Sequence, residues 1–540
     1  MPTLNWIGKD AVVNHDKEVP FRLLKRVKTA SVGENSQNLI IHGDNLEALK
    51  ALMPYYAGKI KCIYIDPPYN TGNEGWVYND KVNSPKIKKW LGKVVGPESE
   101  DLSRHDKWLC MMYPRLKLLR DLLSDNGVIF VSIDNNEYCD LRQIMDEIFG
   151  EDNFVGALPR TTRRGGKTDS FIVSEMDIVL SYSKDKAMTD KSFGIIKTAG
   201  DNYKYKDEYL EERGLYQTKP LDVSSLSYSE NMDYIFTDKE GNKYYAGGKE
   251  GYYKRRKNKP MSKDWTWRWS KDKLDFALKT GFAFLKNGKI QTKIYEKKII
   301  SNQKPYKIID KELNQKIGSL YLVNNIYSNF ASKKDIDMLF DNKVFEYSKP
   351  VELIKQLLKI STFQDEIILD SFAGSGTTGH AVLDLNKEDS GDRKFILVEL
   401  EDKVARDITA ERVKRAIKKY EYEGGFEFCE LDKPLFDENG QIDKECTFEQ
   451  LATYIYFTET NTNIDRKVIS GNLIGASDDT EYYLIFERVG QNILDKGSIK
   501  KLSKDNKRKV IYADKCLIDG GTLKKNNIQF KQIPYEVKVY

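Results

Sequence analysis

The sequence predicts an α/β protein in which one mostly parallel sheet is assembled from two separated segments of the chain. Apolar strand-like runs alternate with helical spacings in residues 1–154, and the same alternation returns in residues 343–423. Between these segments, residues 155–342 are basic and contain short strand-like runs without the intervening helices. We therefore predict a split core with one inserted domain, followed by a small mixed α/β domain at 424–540.

The first segment contains the elements of one half of the core. Short apolar runs that stop at Gly, Asp or Pro are typical of buried parallel strands, and apolar residues three and four apart are typical of helices. In chain order these patterns predict a strand at Asn38–His42, a helix at Asn45–Met53, a strand at Lys61–Ile65, a helix at Asp106–Leu123, a strand at Val128–Ile133 and a helix at Glu137–Phe149.

The second segment repeats this order of elements, and a separate module follows it. The patterns predict a helix from Lys349 to about Ile360, a strand at Glu366–Leu369, a helix that ends near Leu385, a strand at Lys394–Val398 and a helix at Asp402–Lys419. Beyond Gly424, apolar runs at Tyr482–Phe486 and Val510–Ala513 indicate the C-terminal α/β module.

Composition excludes several classes of protein. The 540 residues are 40% hydrophobic and 31% charged, which is typical of a globular protein. The six cysteines form no CxxC pair and there are only four histidines, so we expect no metal site, no disulfide framework and a reducing, cytoplasmic location. No apolar run reaches about 18 residues and the N-terminus is charged, so we expect no membrane span and no signal peptide.

Positive charge is concentrated in the inserted domain. The net charge of the chain is only +5, but Gly251–Asp310 contains 17 Lys and Arg against 5 Asp and Glu. Such a block is typical of a surface that neutralises phosphates, although a solvated charged face would have the same composition. The candidate phosphate-binding residues are Lys254, Arg255, Arg256, Lys257 and Arg268 in this block, with Arg160, Arg163 and Arg164 in a basic stretch nearer the first core segment.

A glycine-rich turn joins a strand to a helix in the second core segment. Asp370-Ser371-Phe372-Ala373-Gly374-Ser375-Gly376-Thr377 allows close approach of a ligand, and the helix that begins there offers unpaired N–H groups. Glu399 ends the next strand, where a carboxylate accepts hydrogen bonds from ribose hydroxyls in nucleotide-binding folds. This pattern favours a nucleoside cofactor but does not identify it.

A second turn, Asp66-Pro67-Pro68-Tyr69, follows a predicted buried strand. The two prolines hold the turn rigid at the edge of the sheet where open α/β sheets bind ligands. The Asp66 carboxylate and the Pro67 carbonyl are two acceptors beside the aromatic ring of Tyr69. This set suits an exocyclic amine that donates two N–H groups while its base stacks on the ring.

These two motifs and the basic insertion between them resemble β-class DNA amino-methyltransferases, and more closely the modification (Mod) subunits of type III restriction–modification systems. The resemblance covers about Thr3 to Tyr420, with Asp66–Tyr69 as the DPPY motif and Phe372–Gly376 as the FxGxG motif. It implies a Rossmann-like core of circularly permuted strand order with an inserted target-recognition domain. It also implies S-adenosylmethionine as methyl donor and the N6 amine of a flipped-out adenine in double-stranded DNA as acceptor.

The resemblance assigns roles to residues and implies partners. Asp66, Pro67, Pro68 and Tyr69 would be catalytic. The residues expected to bind the cofactor are Asp44, Lys349, Pro350, Asp370, Phe372, Gly374, Gly376, Thr377 and Glu399. Family analogy implies a homodimer and a helicase–nuclease (Res) partner. This sequence has no Walker-type loop, so any cleavage of DNA would belong to another chain.

Four other functions compete with this hypothesis. A solitary adenine methyltransferase without a nuclease would have the same motifs, and a catalytically silent DNA-recognition subunit would bind DNA without turnover. A nicotinamide-dependent dehydrogenase would use the glycine-rich turn but leaves the Asp-Pro-Pro-Tyr turn unexplained. Enzymes that methylate protein glutamine have a similar turn, although they typically place Asn where Asp66 stands and lack a large basic insertion.

Overall fold

The computed structural model of the chain describes residues 3–33, 36–71, 103–163, 171–189, 193–196, 203–258, 260–311, 315–340, 344–436, 442–443, 446–460, 462–464, 469–487, 490–502 and 505–533. Within these ranges the strands are β1 Arg22–Arg26, β2 Leu39–His42, β3 Ile60–Ile65, β4 Leu123–Ile133, β5 Phe154–Thr161, β6 Met176–Ser183, β7 Ile195–Ile196, β8 Tyr216–Pro220, β9 Asp222–Val223, β10 Phe236–Thr237, β11 Lys243–Tyr244, β12 Thr266–Trp267, β13 Ala283–Lys286, β14 Lys289–Tyr295, β15 Lys298–Ile300, β16 Ile308–Asp310, β17 Gln315–Lys316, β18 Ile367–Asp370, β19 Lys394–Glu399, β20 Glu427–Pro434, β21 Leu473–Ser477, β22 Thr480–Leu484, β23 Ile493–Leu494, β24 Arg508–Ala513, β25 Lys515–Cys516 and β26 Ile528–Gln532.

The helices connect and cover these strands. They are α1 Lys9–Val12, α2 His15–Glu18, α3 Asn45–Tyr56, α4 Arg104–Leu122, α5 Tyr138–Phe149, α6 Leu210–Arg213, α7 Lys249–Lys257, α8 Lys271–Lys279, α9 Asn329–Asp337, α10 Val351–Lys359, α11 Thr377–Asp389, α12 Asp402–Val404, α13 Glu411–Tyr420, α14 Phe448–Thr460, α15 Lys496–Lys500 and α16 Gly520–Lys525. A π-helical segment, Ala405–Ala410, joins α12 to α13. No helix in the described ranges is long and apolar enough to cross a membrane.

The core is a nine-stranded sheet with the order β1-β20-β2-β19-β18-β3-β4-β6-β5. Its central strands, from β20 to β4, all run parallel, and β1, β6 and β5 pair antiparallel at the two edges. β18 of the second segment pairs in parallel with β3 of the first, with Leu369 opposite Ile63, so both segments contribute strands to one sheet. The fold class predicted from the sequence is therefore correct.

Burial explains why these segments form the sheet. All six residues of β3 are buried, as expected for a strand covered by helices on both faces. On one of these faces α4 packs Trp108, Leu116 and Leu119, none of them exposed, into the same apolar cluster as Ile63 of β3. This rigid centre fixes the carboxyl ends of the parallel strands.

The second compact unit of the structure is shorter than the predicted insertion of residues 155–342. The chain divides into two compact units, one of residues 1–193 with 318–540 and the other of Gly194–Ile317. β5 and β6, predicted to belong to the inserted domain 155–342, are strands of the core sheet, since β6 pairs with β4 from Ile178 to Ser183. They form an antiparallel edge without an intervening helix, which is why the sequence pattern of the core stops before they begin.

The unit Gly194–Ile317 has its own apolar core. β13, β14 and β8 form a three-stranded antiparallel sheet. Trp267, Leu274, Phe282 and Tyr295 are buried in one cluster with this sheet. The unit is strand-rich, as the sequence predicts.

The C-terminal residues form a second mixed sheet. β21, β22, β24 and β26 are neighbours in that order, with one antiparallel and two parallel pairs, and α14 shares an apolar cluster with them. β20, which lies beyond the predicted boundary at 424, instead pairs in parallel with β2 of the core.

Candidate active site

Three carboxylates stand at the ends of three neighbouring parallel strands. Asp66 follows β3, Asp370 ends β18 and Glu399 ends β19, and these strands are adjacent in the sheet. Burial raises the pKa of Asp370 to about 7 and the pKa of Glu399 to about 8, and the neighbouring Asp66 contributes to the shift at Asp370. Such crowding of buried carboxylates is costly and is characteristic of functional sites.

The Asp66 carboxylate uses its two oxygens differently. Oδ2 accepts a hydrogen bond from Lys349 Nζ at 2.5 Å. Oδ1 is buried and has no hydrogen-bond partner among the described residues. A buried acceptor without a donor is unfavourable, so this oxygen is available to a ligand that brings an N–H group.

The turn after Asp66 is held by the first core segment. Trp108 Nε1, from α4, donates to the Pro68 carbonyl at 2.7 Å. Asn70 has a left-handed backbone with φ 54° and donates through Nδ2 to the buried carboxyl of Glu137. Burial raises the pKa of Glu137 to about 8, and its Oε1 lies 2.8 Å from His105 Nδ1. The Asp66–Asn70 turn is thereby preorganised.

Tyr69 lies beside a cavity of about 400 Å³ within the larger compact unit. Its hydroxyl donates to Asp177 Oδ2 at 3.2 Å, and burial with the nearby Asp177 and Asp66 charges raises the pKa of Tyr69. The Tyr69 ring lies 5.0 Å from Lys349 Nζ. Asp177, Arg163, Asn329 and Lys349 also line the cavity, which therefore combines an aromatic surface with polar groups.

The glycine-rich turn is closed by α11 and by the π-helical segment. Gly374 donates its backbone N–H to Glu399 Oε2 at 3.0 Å. Gly376 has φ 76°, and a Cβ there would lie 2.9 Å from the Thr409 carbonyl oxygen. Only glycine therefore fits this position, and the backbone passes close to the start of α11 as a nucleoside-binding turn requires.

Comparison with known proteins decides the family. Residues 60–411 match the DNA methylase family of N6 and N4 methyltransferases. The chain belongs to this DNA methylase family. It is a DNA methyltransferase, and S-adenosylmethionine, the cofactor expected from the resemblance, is its methyl donor.

Several relatives are Mod subunits. The chain is 33% identical over 453 residues to the type III restriction–modification enzyme EcoPI Mod subunit of Escherichia phage P1, across 77% of this chain and 68% of that protein. It is 31% identical to the EcoP15I Mod subunit of Escherichia coli, across 78% and 70%. It is 32% identical to the StyLTI Mod subunit of Salmonella typhimurium, across 76% and 60%. The matches therefore span between 60% and 70% of these relatives.

Within this methyltransferase, three of the residues predicted to bind the cofactor lie at the glycine-rich turn or at the start of α10. Asp370 accepts hydrogen bonds from the Phe372 N–H at 3.0 Å and from Thr378 Oγ1 at 2.5 Å, so it braces the glycine-rich turn from inside. Thr377 begins α11, and its Oγ1 donates to the Lys349 carbonyl at 3.2 Å. Pro350 precedes α10 as its N-cap residue.

Two of the predicted cofactor residues have partners in the protein. Asp44 caps α3 by accepting from the Leu46 N–H at 2.8 Å, and it pairs with Arg115 at 3.3 Å. The Lys349 side chain reaches the acceptor turn, where it pairs with Asp66. The expected contact of Lys349 with the cofactor thus has a competing partner.

The structure corrects the predicted DNA contacts of Arg160 and Arg255, and it places Arg268 in a half-buried position. Arg160 is 1% exposed and pairs with Asp177, and Arg255 is 7% exposed and pairs with Asp233, so neither guanidinium is available to a phosphate. Arg268 is half-buried and donates to the Pro220 carbonyl at 2.6 Å.

The other predicted DNA-binding residues keep accessible side chains where the structure describes them. Arg163 lines the cavity beside Tyr69, and Lys254 and Lys257 are exposed on α7. Arg256 is exposed but pairs with Glu230 at 2.6 Å. Arg164 lies outside the described residues.

Sequence reasoning missed the groups that brace the two turns. The Asp66–Asn70 turn is braced by Trp108, Glu137 and Asp177. The glycine-rich turn and the start of α11 are braced by Arg412, which is not exposed and donates to Ser375 Oγ at 2.8 Å and to Thr377 Oγ1 at 2.7 Å. Each is distant in sequence from the motif it contacts. Their helices and strands read as ordinary core elements, so no local signal marks them.

Proposed function

We propose that the chain is the modification subunit of a type III restriction–modification system and methylates the N6 amine of a flipped-out adenine in double-stranded DNA. The observation that carries this proposal is the buried Asp66 Oδ1, which has no partner among the described residues and lies in a turn with the Tyr69 ring. An exocyclic amine supplies the missing donor. Asp rather than Ser at this position favours adenine over N4 of cytosine, by the resemblance to the family.

The acceptor turn activates the amine. The N6 lone pair of adenine is delocalised into the ring, so the amine is a weak nucleophile. Hydrogen bonds from its two N–H groups to Asp66 Oδ1 and to the Pro67 carbonyl favour a tetrahedral nitrogen with a localised lone pair. Positioning by a rigid turn contributes several kcal/mol to such a reaction, about 7 or more in the best cases.

The transfer is a direct displacement. The target nitrogen, held by Asp66 and Pro67, would attack the methyl group in line, and the donor would leave with the C–S bonding pair as a thioether. The nitrogen then loses one proton, which passes to the Asp66 carboxylate and from there to solvent. When bound, S-adenosylmethionine supplies an electrophilic methyl group. No residue of the chain forms a covalent bond to the substrate.

The glycine-rich turn is the proposed cofactor site. Phe372, Gly374 and Gly376 would hold the donor against the start of α11, and the Glu399 carboxylate would accept hydrogen bonds from its ribose hydroxyls. Gly376 leaves no space for a side chain, and Glu399 is 3% exposed at the adjacent strand end, so the residues present fit a nucleoside.

A base stacked in the duplex cannot reach Asp66, so the target must leave the helix. Flipping costs a few kcal/mol, which a stacking partner in the enzyme offsets. We assign this partner to Tyr69, whose hydroxyl is already fixed by Asp177. The cavity beside Tyr69 would receive the base.

The test of the function is a methylation assay that identifies the product base. The protein is incubated with double-stranded DNA and labelled S-adenosylmethionine, and the DNA is digested to nucleosides. We expect the label in N6-methyl-2′-deoxyadenosine. Label in N4-methyl-2′-deoxycytidine would overturn the target base, and cofactor binding without any labelled product would favour the silent recognition subunit.

The ionisation of Glu399 leads to a prediction about cofactor affinity. Because burial raises its pKa to about 8, the carboxyl is partly protonated at neutral pH, and the ionised form is the better acceptor for ribose hydroxyls. The Kd of S-adenosylmethionine should therefore fall as pH rises from about 7 to 9, and binding at neutral pH should release up to one proton. Titration calorimetry measures this. Glu399→Gln should bind about tenfold more weakly, without this pH dependence.

A second prediction concerns the basic unit. Lys254 and Lys257 are exposed on α7, and we propose that each neutralises one DNA phosphate. The variant Lys254→Gln/Lys257→Gln should lower the slope of log Kd against log salt by about 1.8. Fluorescence anisotropy at several salt concentrations measures the slope. The matched control is Arg256→Gln, which removes a cation already paired with Glu230 and should change the slope less.

We further propose a homodimer in the cytoplasm that works with a separate helicase–nuclease subunit. The relatives named above are subunits of restriction–modification enzymes, and this sequence contains no Walker-type loop for a motor of its own. Light scattering should give twice the mass of the chain. Co-purification from the native host should recover a larger ATP-dependent partner; its absence would favour the solitary methyltransferase.

A further inference from the structure

Lys349 connects the two functional turns of the site. Its carbonyl accepts from Thr377 Oγ1 at the start of α11, and the adjacent Ser348 Oγ lies 2.9 Å from Ser375 Oγ in the glycine-rich turn. Its side chain extends in the other direction to Asp66 Oδ2, 2.5 Å away. The backbone of this residue is therefore fixed to one turn and its ammonium group to the other.

Lys349 is also a cation in a region of buried negative charge. Its side chain is 8% exposed and that of Asp66 is 13% exposed. The titratable groups around this pair come from four strands and the turn itself: Asp370 at the end of β18, Asp177 on β6 with its partner Arg160 on β5, Tyr64 on β3 and Tyr69 in the turn. Because Arg160 already pairs with Asp177, Lys349 is the described cation that pairs with Asp66.

We propose that Lys349 is a positioning residue for methyl transfer: it holds Oδ2 of Asp66 and so reserves Oδ1 for the target amine. This inference rests on the proposed function and assigns Lys349 to the acceptor side of the reaction rather than to cofactor binding. Without the ammonium group, Oδ2 of Asp66 would lose its donor, and the carboxylate would no longer be held with Oδ1 toward the amine.

The experiment separates turnover from cofactor affinity. Lys349→Met is compared with Lys349→Arg and with the wild type, by kcat at saturating DNA and S-adenosylmethionine and by the Kd of S-adenosylmethionine. We expect Lys349→Met to lower kcat by about 10²-fold, with less than about a threefold change in Kd. Lys349→Arg should restore most of the rate, since a guanidinium also donates to Oδ2.

Lys355→Met is the matched control. Lys355, on α10, is 9% exposed and pairs with Asp384 on α11 at 2.5 Å, so its loss also leaves a carboxylate without its cation, at a place outside both turns. This variant should lose thermal stability but keep its kcat. The proposal is overturned if Lys349→Met weakens cofactor binding tenfold or more while kcat at saturation is retained, or if Lys349→Arg recovers none of the lost kcat.

The failure of this inference differs from failure of the proposed function. If the wild type methylates DNA and Lys349→Met does so equally well, only the role of Lys349 is wrong. If the wild type shows no transfer to adenine, the proposed function is wrong, whatever Lys349 does.

Discussion

Asp66→Ala is expected to lower kcat for DNA methylation by about 10³-fold while the Kd of S-adenosylmethionine changes less than threefold. The variant removes Oδ1, the buried acceptor without a described partner, and Oδ2, the partner of Lys349. The target amine would then keep its lone pair in the ring, and the Lys349 ammonium would stay buried beside Tyr69 without its counter-ion. Single-turnover kinetics at saturating cofactor measure the chemical step directly.

Asp66→Asn refines this prediction. The amide keeps one acceptor oxygen but replaces the other with an NH₂ group, which faces the Lys349 ammonium or the target amine. We expect a loss of rate between the wild type and Asp66→Ala. Asp392→Asn is the control, because Asp392 also pairs with a lysine, Lys394, but its side chain is 79% exposed. Equal rates for Asp66→Ala and Asp392→Asn would contradict the assignment of Asp66 to catalysis.

The parallel core could be predicted because its signals are local. β3 and β18 are short apolar runs, and each stops at a residue that also carries chemistry, Asp66 or Asp370. The glycine-rich turn is equally local, since Gly376 is required by its own backbone and by contact with Thr409. Alternation of strand and helix is then sufficient to predict that these turns meet at one edge of the sheet.

The limits of the inserted domain could not be predicted in the same way. β5 and β6 carry no helix between them, so they break the pattern of the core although they are part of its sheet. Their pairing with β4 depends on contacts between residues about 50 positions apart, such as Val128 opposite Ser183. Long-range antiparallel pairing of this kind leaves no periodic signal in the sequence.

The ion-pair partners of individual arginines could not be predicted from the sequence either. A basic stretch near a catalytic motif suggested that Arg160 contacts DNA, because composition shows the charge but not the direction of the side chain. Arg160 lies on β5 opposite Asp177 on β6, so the register of the edge strands brings the two charges together inside the protein. The carboxylate that neutralises it also fixes the Tyr69 hydroxyl.

Arg160→Met is expected to destabilise the fold by about 3–5 kcal/mol, because it leaves the buried Asp177 carboxylate without a counter-ion. Both side chains are at most 3% exposed, and the guanidinium also donates to the Tyr327 carbonyl at 2.8 Å. The raised pKa of Arg160 beside Asp177 and the lowered pKa of Asp177 beside Arg160 both favour the ionised pair. Chemical denaturation at pH 7 measures the loss.

The double variant Arg160→Met/Asp177→Asn distinguishes this structural role from a contact with DNA. It removes the uncompensated charge but keeps an acceptor for the Tyr69 hydroxyl, so it should recover at least half of the lost stability. If Arg160 instead bound a phosphate, Arg160→Met would keep its stability and lower the salt dependence of DNA binding by about 0.9 in slope. Because the pair braces Tyr69, we expect Arg160→Met to lower kcat and to leave the salt slope unchanged.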